Sequence, residues 1–238
     1  MKPIAIFRHA ASEGPGYFSD FLDARKVPWT LIAIDAGEAV PVSAAAYSGL
    51  VFMGGPMSVN DDLPWIEKIL ALIREAVALD IPVLGHCLGG QLISKALGGI
   101  VSKNPHKEIG WGEVQVSDNA IAHDWFGDSK KFQAFHWHGE TFTLPQGATH
   151  LLSSAACMNQ AYAIGKHLAL QCHVEMTVAM IDEWCAIGAQ EIEASNSPYV
   201  QATSVIAAQT QQNLPNLHKI ATHLYTKWLA GALNSSVL

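Results

Sequence analysis

The sequence predicts an α/β protein: a doubly wound, mostly parallel sheet flanked by helices, with a small antiparallel β portion. Three observations carry that prediction. Short apolar runs ending in glycine or polar residues alternate with segments of helical periodicity through the N-terminal part, the pattern of parallel βαβ units. The middle of the chain changes to strand-and-turn runs. The last third, from Met176, is mostly helical. No repeat, low-complexity tract or linker interrupts the chain. One domain over 1–238 is therefore expected, with the helices of 176–233 packed on it.

The elements follow in order. PIAIFRH (3–9) reads as a strand, DFLDARK (20–26) as a helix and WTLIAID (29–35) as a second strand. GLVFMGG (49–55) is a third strand. PWIEKILALIREAVALD (64–80) carries Ile66, Ile69, Leu70, Ile73 and Val77 at helical spacing, with Pro64 near the first turn, where proline is tolerated. IPVLGH (81–86) is a fourth strand, and LGGQLISKAL (88–97) a helix directly after it. GWGEVQV (110–116), KKFQAFHWHGETFTL (130–144), THLLSSA (149–155), AYAIG (161–165) and LALQCHVE (168–175) look like strands and turns. TVAMIDEWCAI (177–187) and NLHKIATHLYTKWLAGAL (216–233) read as helices, with a turn at ASNSPYVQ (194–201). Leu224, Trp228, Leu229 and Leu233 form an apolar face expected to pack on the core. The terminal NSSVL is expected to fray.

Composition narrows the function classes. Half of the 238 residues are hydrophobic and 15% are charged, enough for a substantial core. The net charge is -7 with no basic block, which argues against nucleic acid or an anionic membrane as partner. No apolar run reaches bilayer length, and the N-terminus runs into a strand pattern without a signal-peptide core. Cys87, Cys157, Cys172 and Cys185 show no paired spacing, so a reducing, cytoplasmic setting is expected.

Cys87 stands at the junction of a predicted strand and a predicted helix, among Gly85, Gly89 and Gly90. A sharp strand-to-helix elbow needs small neighbours and holds its central residue in an unusual backbone conformation. The helix N-terminus favours negative charge on the sulfur, and the Leu88 amide is placed to donate to a developing oxyanion. A thiol nucleophile needs a base, and the base an orienter. His173 and Glu175 in QCHVE lie two apart at the end of an apolar run, so extended geometry turns them to one side. In VFMGGPMSV (51–59), a strand ends in Gly54-Gly55-Pro56, where backbone amides can approach a ligand.

Taken in order, MGGPMSV, GHCLGGQ, EIGWGEV, HWHGE and QCHVE resemble the class I, triad-type glutamine amidotransferases over roughly residues 45–180. The resemblance is greatest to stand-alone members similar to the amidotransferase domain of GMP synthase. It implies a flavodoxin-like fold and hydrolysis of the γ-amide of glutamine, or of a γ-glutamyl compound, through a cysteinyl thioester, with no cofactor. It implies Cys87 as nucleophile, His173 as general base and acid, and Glu175 as its orienter. Gly55 and Leu88 would supply the oxyanion amides. Gln91, Trp137, His138, Gly139 and Glu140 would hold the amino-acid end of the substrate, the latter four through backbone groups. The family's common Q-F-H-P-E is here Gln171-Cys172-His173-Val174-Glu175, and His86 stands before the nucleophile where an apolar residue is common.

Competing readings are weaker. An α/β-hydrolase has the order nucleophile, acid, histidine, whereas here the histidine precedes the acid. His136, His138 and Glu140 alternate as metal ligands on one strand face would, but no further paired ligand supports a metal site. A non-catalytic regulatory protein would more naturally have lost a triad residue. Within the enzyme reading, the chain has no ATP loop of its own. It is expected to act either as a glutaminase subunit feeding ammonia to a separate synthetase chain or as a stand-alone hydrolase or transferase of γ-glutamyl amides or peptides.

Overall fold

A computed structural model describes residues 2–234; from Ser235 on, the expected frayed end lies outside them. The helices and strands in chain order are β1 (Ile4–Arg8), α1 (Tyr17–Ala24), β2 (Trp29–Ala33), β3 (Gly49–Phe52), α2 (Ile66–Ala78), β4 (Val83–His86), α3 (Leu88–Ala96) and β5 (Val101–Val116). They continue with α4 (Ala120–Phe126), β6 (Lys131–Phe142), β7 (Thr149–Ser154), β8 (Ala161–Ile164), β9 (His167–Leu170), α5 (Val178–Ile187), α6 (Ala189–Ala194) and α7 (Thr203–Asn234).

All nine strands join one sheet in the order β2-β1-β3-β4-β9-β8-β7-β5-β6. The first five in that order are parallel, and each later neighbour pairs antiparallel. This is the doubly wound α/β fold that the sequence predicts, but its antiparallel portion is larger than the small one expected: among the described residues, four of the eight strand pairings are antiparallel.

The parallel strands are buried on both faces, and their alternating residues enter two separate cores. Ile4, Ile6, Val51, Leu84, Leu168 and Leu170 face one core, against Phe18, Phe21 and Leu22 of α1 and Leu217, Leu224 and Trp228 of α7. Ala5, Phe7, Leu50, Phe52, Val83 and Ala169 face the other, against Ile66, Ile69 and Ile73 of α2 and Leu92 of α3. The period-2 pattern of the strands and the period-3.6 stripes of the helices thus meet across each face.

Several expected boundaries shift. The α2 stripe ends at Ala76, with Val77 only partly buried. Leu224, Trp228 and Leu229 are core residues, but Leu233 is exposed. The strand β5 starts at Val101, well before the expected residue 110, and carries a bulge between Lys103 and Glu108. Asn104 and Pro105 make that stretch read as a loop. The short α4 is capped by the Asn119 side chain, which accepts from the Ala122 amide. The helix α7 begins thirteen residues before the expected start at 216 and runs through Pro215. Those first thirteen residues bury only Ile206, Thr210 and Leu214, a stripe too thin to outweigh a proline in the sequence. Among the described residues, no helix is long and apolar enough to cross a membrane.

Candidate active site

The carboxyl ends of β3, β4 and β9 lie side by side, and each releases one part of a common site. In doubly wound sheets this edge is where ligands bind. Past β3 come Gly54 and Gly55; past β4 comes Cys87; past β9 come Gln171, His173 and Glu175. Their convergence follows from strand order, which brings β9 beside β4 from far along the chain.

Cys87 has φ 49° and ψ -107°. Lys26 and Asp80 also have positive φ, but both are exposed residues closing α1 and α2. Cys87 is buried, so its strain is sustained by packing rather than by a surface turn. The glycines around it are required by close approach. A Cβ on Gly85 would lie 2.3 Å from the Gly89 carbonyl carbon. One on Gly89 would lie 2.0 Å from the Phe52 oxygen, and one on Gly90 would lie 2.4 Å from the Leu170 oxygen. The N-terminus of α3 is therefore seated directly on the backbones of β3 and β9. The Cys87 amide donates to Leu170 O at 2.8 Å, tying the elbow to β9.

The Cys87 sulfur stands 3.8 Å from Trp137 O and 3.5 Å from Gln171 Nε2. Gln171 Oε1 in turn accepts from Gln91 Nε2 at 3.2 Å, so the two glutamines form a chain to the thiol. The sulfur also acts on the His173 ring. His173 is buried, which opposes its protonation, yet Glu175 and Cys87 raise its pKa well above the ordinary histidine value. Its Nε2 is buried without an aligned hydrogen bond, while Nδ1 lies 2.6 Å from Glu175 Oε1. Such unaligned contacts are common in a ligand-free catalytic site. The ring is clamped by Phe135 of β6, whose backbone exchanges hydrogen bonds of 2.8 and 3.3 Å with that of His173. Trp184 of α5 meets it edge-on, with centroids 4.9 Å apart.

Glu175 is buried; desolvation raises its pKa, but His86 and His173 outweigh it and hold the carboxyl down to about 2. His86 does not face the sulfur. Its Nε2 lies 3.1 Å from the Tyr225 hydroxyl and 3.7 Å from Glu175 Oε2, behind the carboxylate. Burial lowers the pKa of His86 and outweighs the pull of Glu175.

In front of Cys87 lies a groove of about 650 Å³. Gly55, Gln91, Trp137, His138, Gly139 and Glu140 all line it, as does Glu13. Leu88 is the first residue of α3, so its amide has no acceptor within the helix. A Cβ on Gly55 would lie 2.7 Å from Leu88 Cδ2, so the two loops meet beside the thiol.

The His138 side chain is turned away from the groove. Its Nε2 contacts Glu108 Oε2 at 2.9 Å and its Nδ1 contacts Glu140 O at 2.9 Å. Glu108 also accepts from Ser154 at 2.8 Å and from Gln160 at 2.6 Å. Ligand atoms of Glu108, His136 and His138 fall within 4.8 Å of one another. The grouping of His136, His138 and Glu140 weighed from the sequence does not form: the Glu140 carboxylate accepts instead from Ser58 Oγ at 2.9 and 3.0 Å. Each oxygen of Glu108 already has a protein donor, so the cluster reads as a buried polar lock on β6.

Sequence reasoning missed Glu13, Gln171 and Trp184. Gln171 heads the QCHVE segment, and its place beside the histidine was the available signal. Glu13 and Trp184 carry no motif; only the fold brings them here.

Comparisons with known proteins identify the family and the fold. The family model of glutamine amidotransferase class-I matches residues 21–183. The crystal structure of a glutamine amido transferase from Methylobacillus flagellatus superposes with a TM-score of 0.95 at 43% identity, covering 97% of this chain and 95% of that one. A glutamine amidotransferase-like protein, YfeJ, of Salmonella typhimurium is 28% identical over 87% of this chain and 90% of its own length. Gamma-glutamyl peptidase 3 of Arabidopsis thaliana is 27% identical over 71% of this chain and 72% of its own. GMP synthase of Lactobacillus gasseri is 34% identical over 57% of this chain, which spans only 26% of that enzyme. With more than half its length matched by the family model, and the fold shared throughout, the chain belongs to the class-I glutamine amidotransferases.

Proposed function

We propose that the protein hydrolyses the γ-amide of glutamine or of a γ-glutamyl compound through a thioester on Cys87, releasing ammonia or an amine. The observation that carries the reading is the strained thiol of Cys87 beside a His173 ring whose far nitrogen is 2.6 Å from Glu175. The ring's raised proton affinity suits it to take the thiol proton. The sulfur then attacks the γ-carbonyl carbon, and the oxygen gathers negative charge against the amides of Gly55 and Leu88. His173 returns its proton to the nitrogen, the C–N bond breaks, and the γ-glutamyl thioester remains. Water, activated by the same ring, then releases the γ-glutamyl group as its carboxylate.

Gln91 and the backbone of 137–140 hold the amino-acid end of the substrate. Glu175 orients the ring and stabilises its charged form. The four unpaired thiols suit a reducing compartment such as the cytoplasm.

Glutamate release from glutamine and from γ-glutamyl dipeptides, with Cys87→Ala as control, tests the reading. Turnover by the isolated chain that vanishes in the variant is expected. Activity that appears only with a synthetase chain added assigns the protein as an ammonia-supplying subunit. Undiminished turnover in Cys87→Ala overturns the reading, and absence of turnover under every condition favours a regulatory role.

A further inference from the structure

We propose that Glu13 is a further substrate-contacting residue, which accepts an N–H of the departing nitrogen and so favours γ-glutamyl amides over esters. The proposal rests on the reading of Cys87 and His173 as nucleophile and base.

Glu13 follows β1 and lines the same groove as Cys87. Its position is given by Gly54: a Cβ there would lie 1.9 Å from Glu13 Oε2 and 3.2 Å from His173 Cε1. One point thus touches both the carboxylate and the ring edge between the two ring nitrogens. Gly54 adjoins Gly55, whose amide is proposed for the oxyanion. The carboxylate therefore stands on the His173 side of the reacting carbon, the side from which the leaving nitrogen takes its proton.

The loop that carries Glu13 is held firmly. Trp184 Nε1 donates to Ser12 O at 2.8 Å, and the Tyr17 amide donates to Glu175 O at 2.8 Å. Glu13 is half-buried, yet its carboxylate has no hydrogen bond or ion pair among the described residues. Burial raises its pKa to about 7, opposed by His173 and reinforced by Glu175. A rigidly held acceptor with no donor of its own, facing the base in a substrate groove, is suited to a donor brought by substrate.

Above about pH 7, where Glu13 is ionised, the bonding is balanced without it gaining or losing a proton. As the C–N bond breaks, its electron pair stays on nitrogen. His173 supplies one proton to that nitrogen, and an N–H already present points to Glu13. This contact fixes the nitrogen so that its lone pair faces His173. An ester oxygen has no N–H to offer and gains nothing from the carboxylate.

The test compares L-glutamine with the γ-methyl ester of L-glutamic acid on the full chain, at a pH above 7 where Glu13 is ionised. Both substrates give the same thioester, so kcat/KM reports acylation, the step in which they differ. In Glu13→Ala, kcat/KM for glutamine is expected to fall about 10- to 100-fold, in keeping with a hydrogen bond to a charged group. The ester value is expected to stay within about threefold of wild type. Glu13→Gln, which retains a carbonyl acceptor, is expected to fall between. Equal losses on amide and ester, or no loss on either, overturn the proposal while Cys87→Ala remains dead. Wild type inactive on both substrates, or active Cys87→Ala, overturns the underlying reading and this proposal with it.

Discussion

His86 stands 3.7 Å from the carboxylate of Glu175, on the opposite side from the His173 ring. Glu175 thus lies between two imidazoles: it bonds one through Oε1 and faces the other through Oε2. Its low pKa keeps it ionised across the neutral range. The expected consequence is an unequal pair of variants. His173→Ala is expected to lower kcat about 10²- to 10⁴-fold, the usual worth of positioned proton transfer. Glu175→Gln is expected to lose less, because it disturbs orientation and charge rather than the transfer itself. Steady-state kinetics on a γ-glutamyl substrate check the order; the reverse order contradicts the assigned roles.

The four thiols differ in setting. Burial pushes the thiols of Cys157, Cys172 and Cys185 above the usual cysteine range. Cys87 opens on the groove and carries the strained backbone. A glutamine-like chloroketone is expected to modify Cys87 first. Peptide mapping after partial labelling checks this, and earlier labelling of any other cysteine contradicts an activated elbow.

The elbow glycines predict a stability difference. Gly89→Ala drives a methyl to 2.0 Å from the Phe52 oxygen, a backbone atom that cannot rotate aside. A loss of about 1–3 kcal/mol or more is expected, as for other overpacked cores. Gly14→Ala meets nothing within 4 Å and is expected to leave stability within about 0.5 kcal/mol. Denaturant unfolding of both variants checks the contrast.

Acid sensitivity follows from buried neutral histidines. Burial holds His9, His136 and His167 down to about 4. His167 Nδ1 accepts the Val83 amide at 3.2 Å, a bond that a protonated ring loses. Between the ordinary value of 6.5 and about 4, the unfolded chain binds protons that these folded rings refuse. Stability therefore falls as pH falls through that window. Glu13, raised to about 7, works oppositely between 7 and 4.5 and offsets one of the three. His173 adds no slope below 6.5, where both states hold its proton. The unfolding free energy is expected to drop by a few kcal/mol from pH 6.5 to 4.5, at about 1.4 kcal/mol per proton per pH unit. A pH-independent value over that range contradicts the buried neutral state.

Much of this architecture was legible in the sequence because the parallel strands and α2 have strong, uninterrupted periodicity. The elbow was legible too, since each glycine around Cys87 answers a backbone contact that no side chain permits. The start of β5 and the first half of α7 were not, because Pro105 and Pro215 are read as breaks although tertiary packing overrides them. Glu13 escaped for a different reason. Its place in the groove depends on where β1 ends relative to β3 and β9, a spatial relation without trace in local spacing. His86 likewise reads as a neighbour of the thiol in sequence. A strand turns successive side chains to opposite faces, and this one backs Glu175 instead.

The central claim is covalent chemistry at one sulfur, and trapping the intermediate tests it most directly. Wild-type protein mixed with a γ-glutamyl substrate, acid-quenched during turnover and digested, is expected to carry a γ-glutamyl thioester on the peptide containing Cys87. Turnover with no adduct on that peptide, or with an adduct on another residue, contradicts the account.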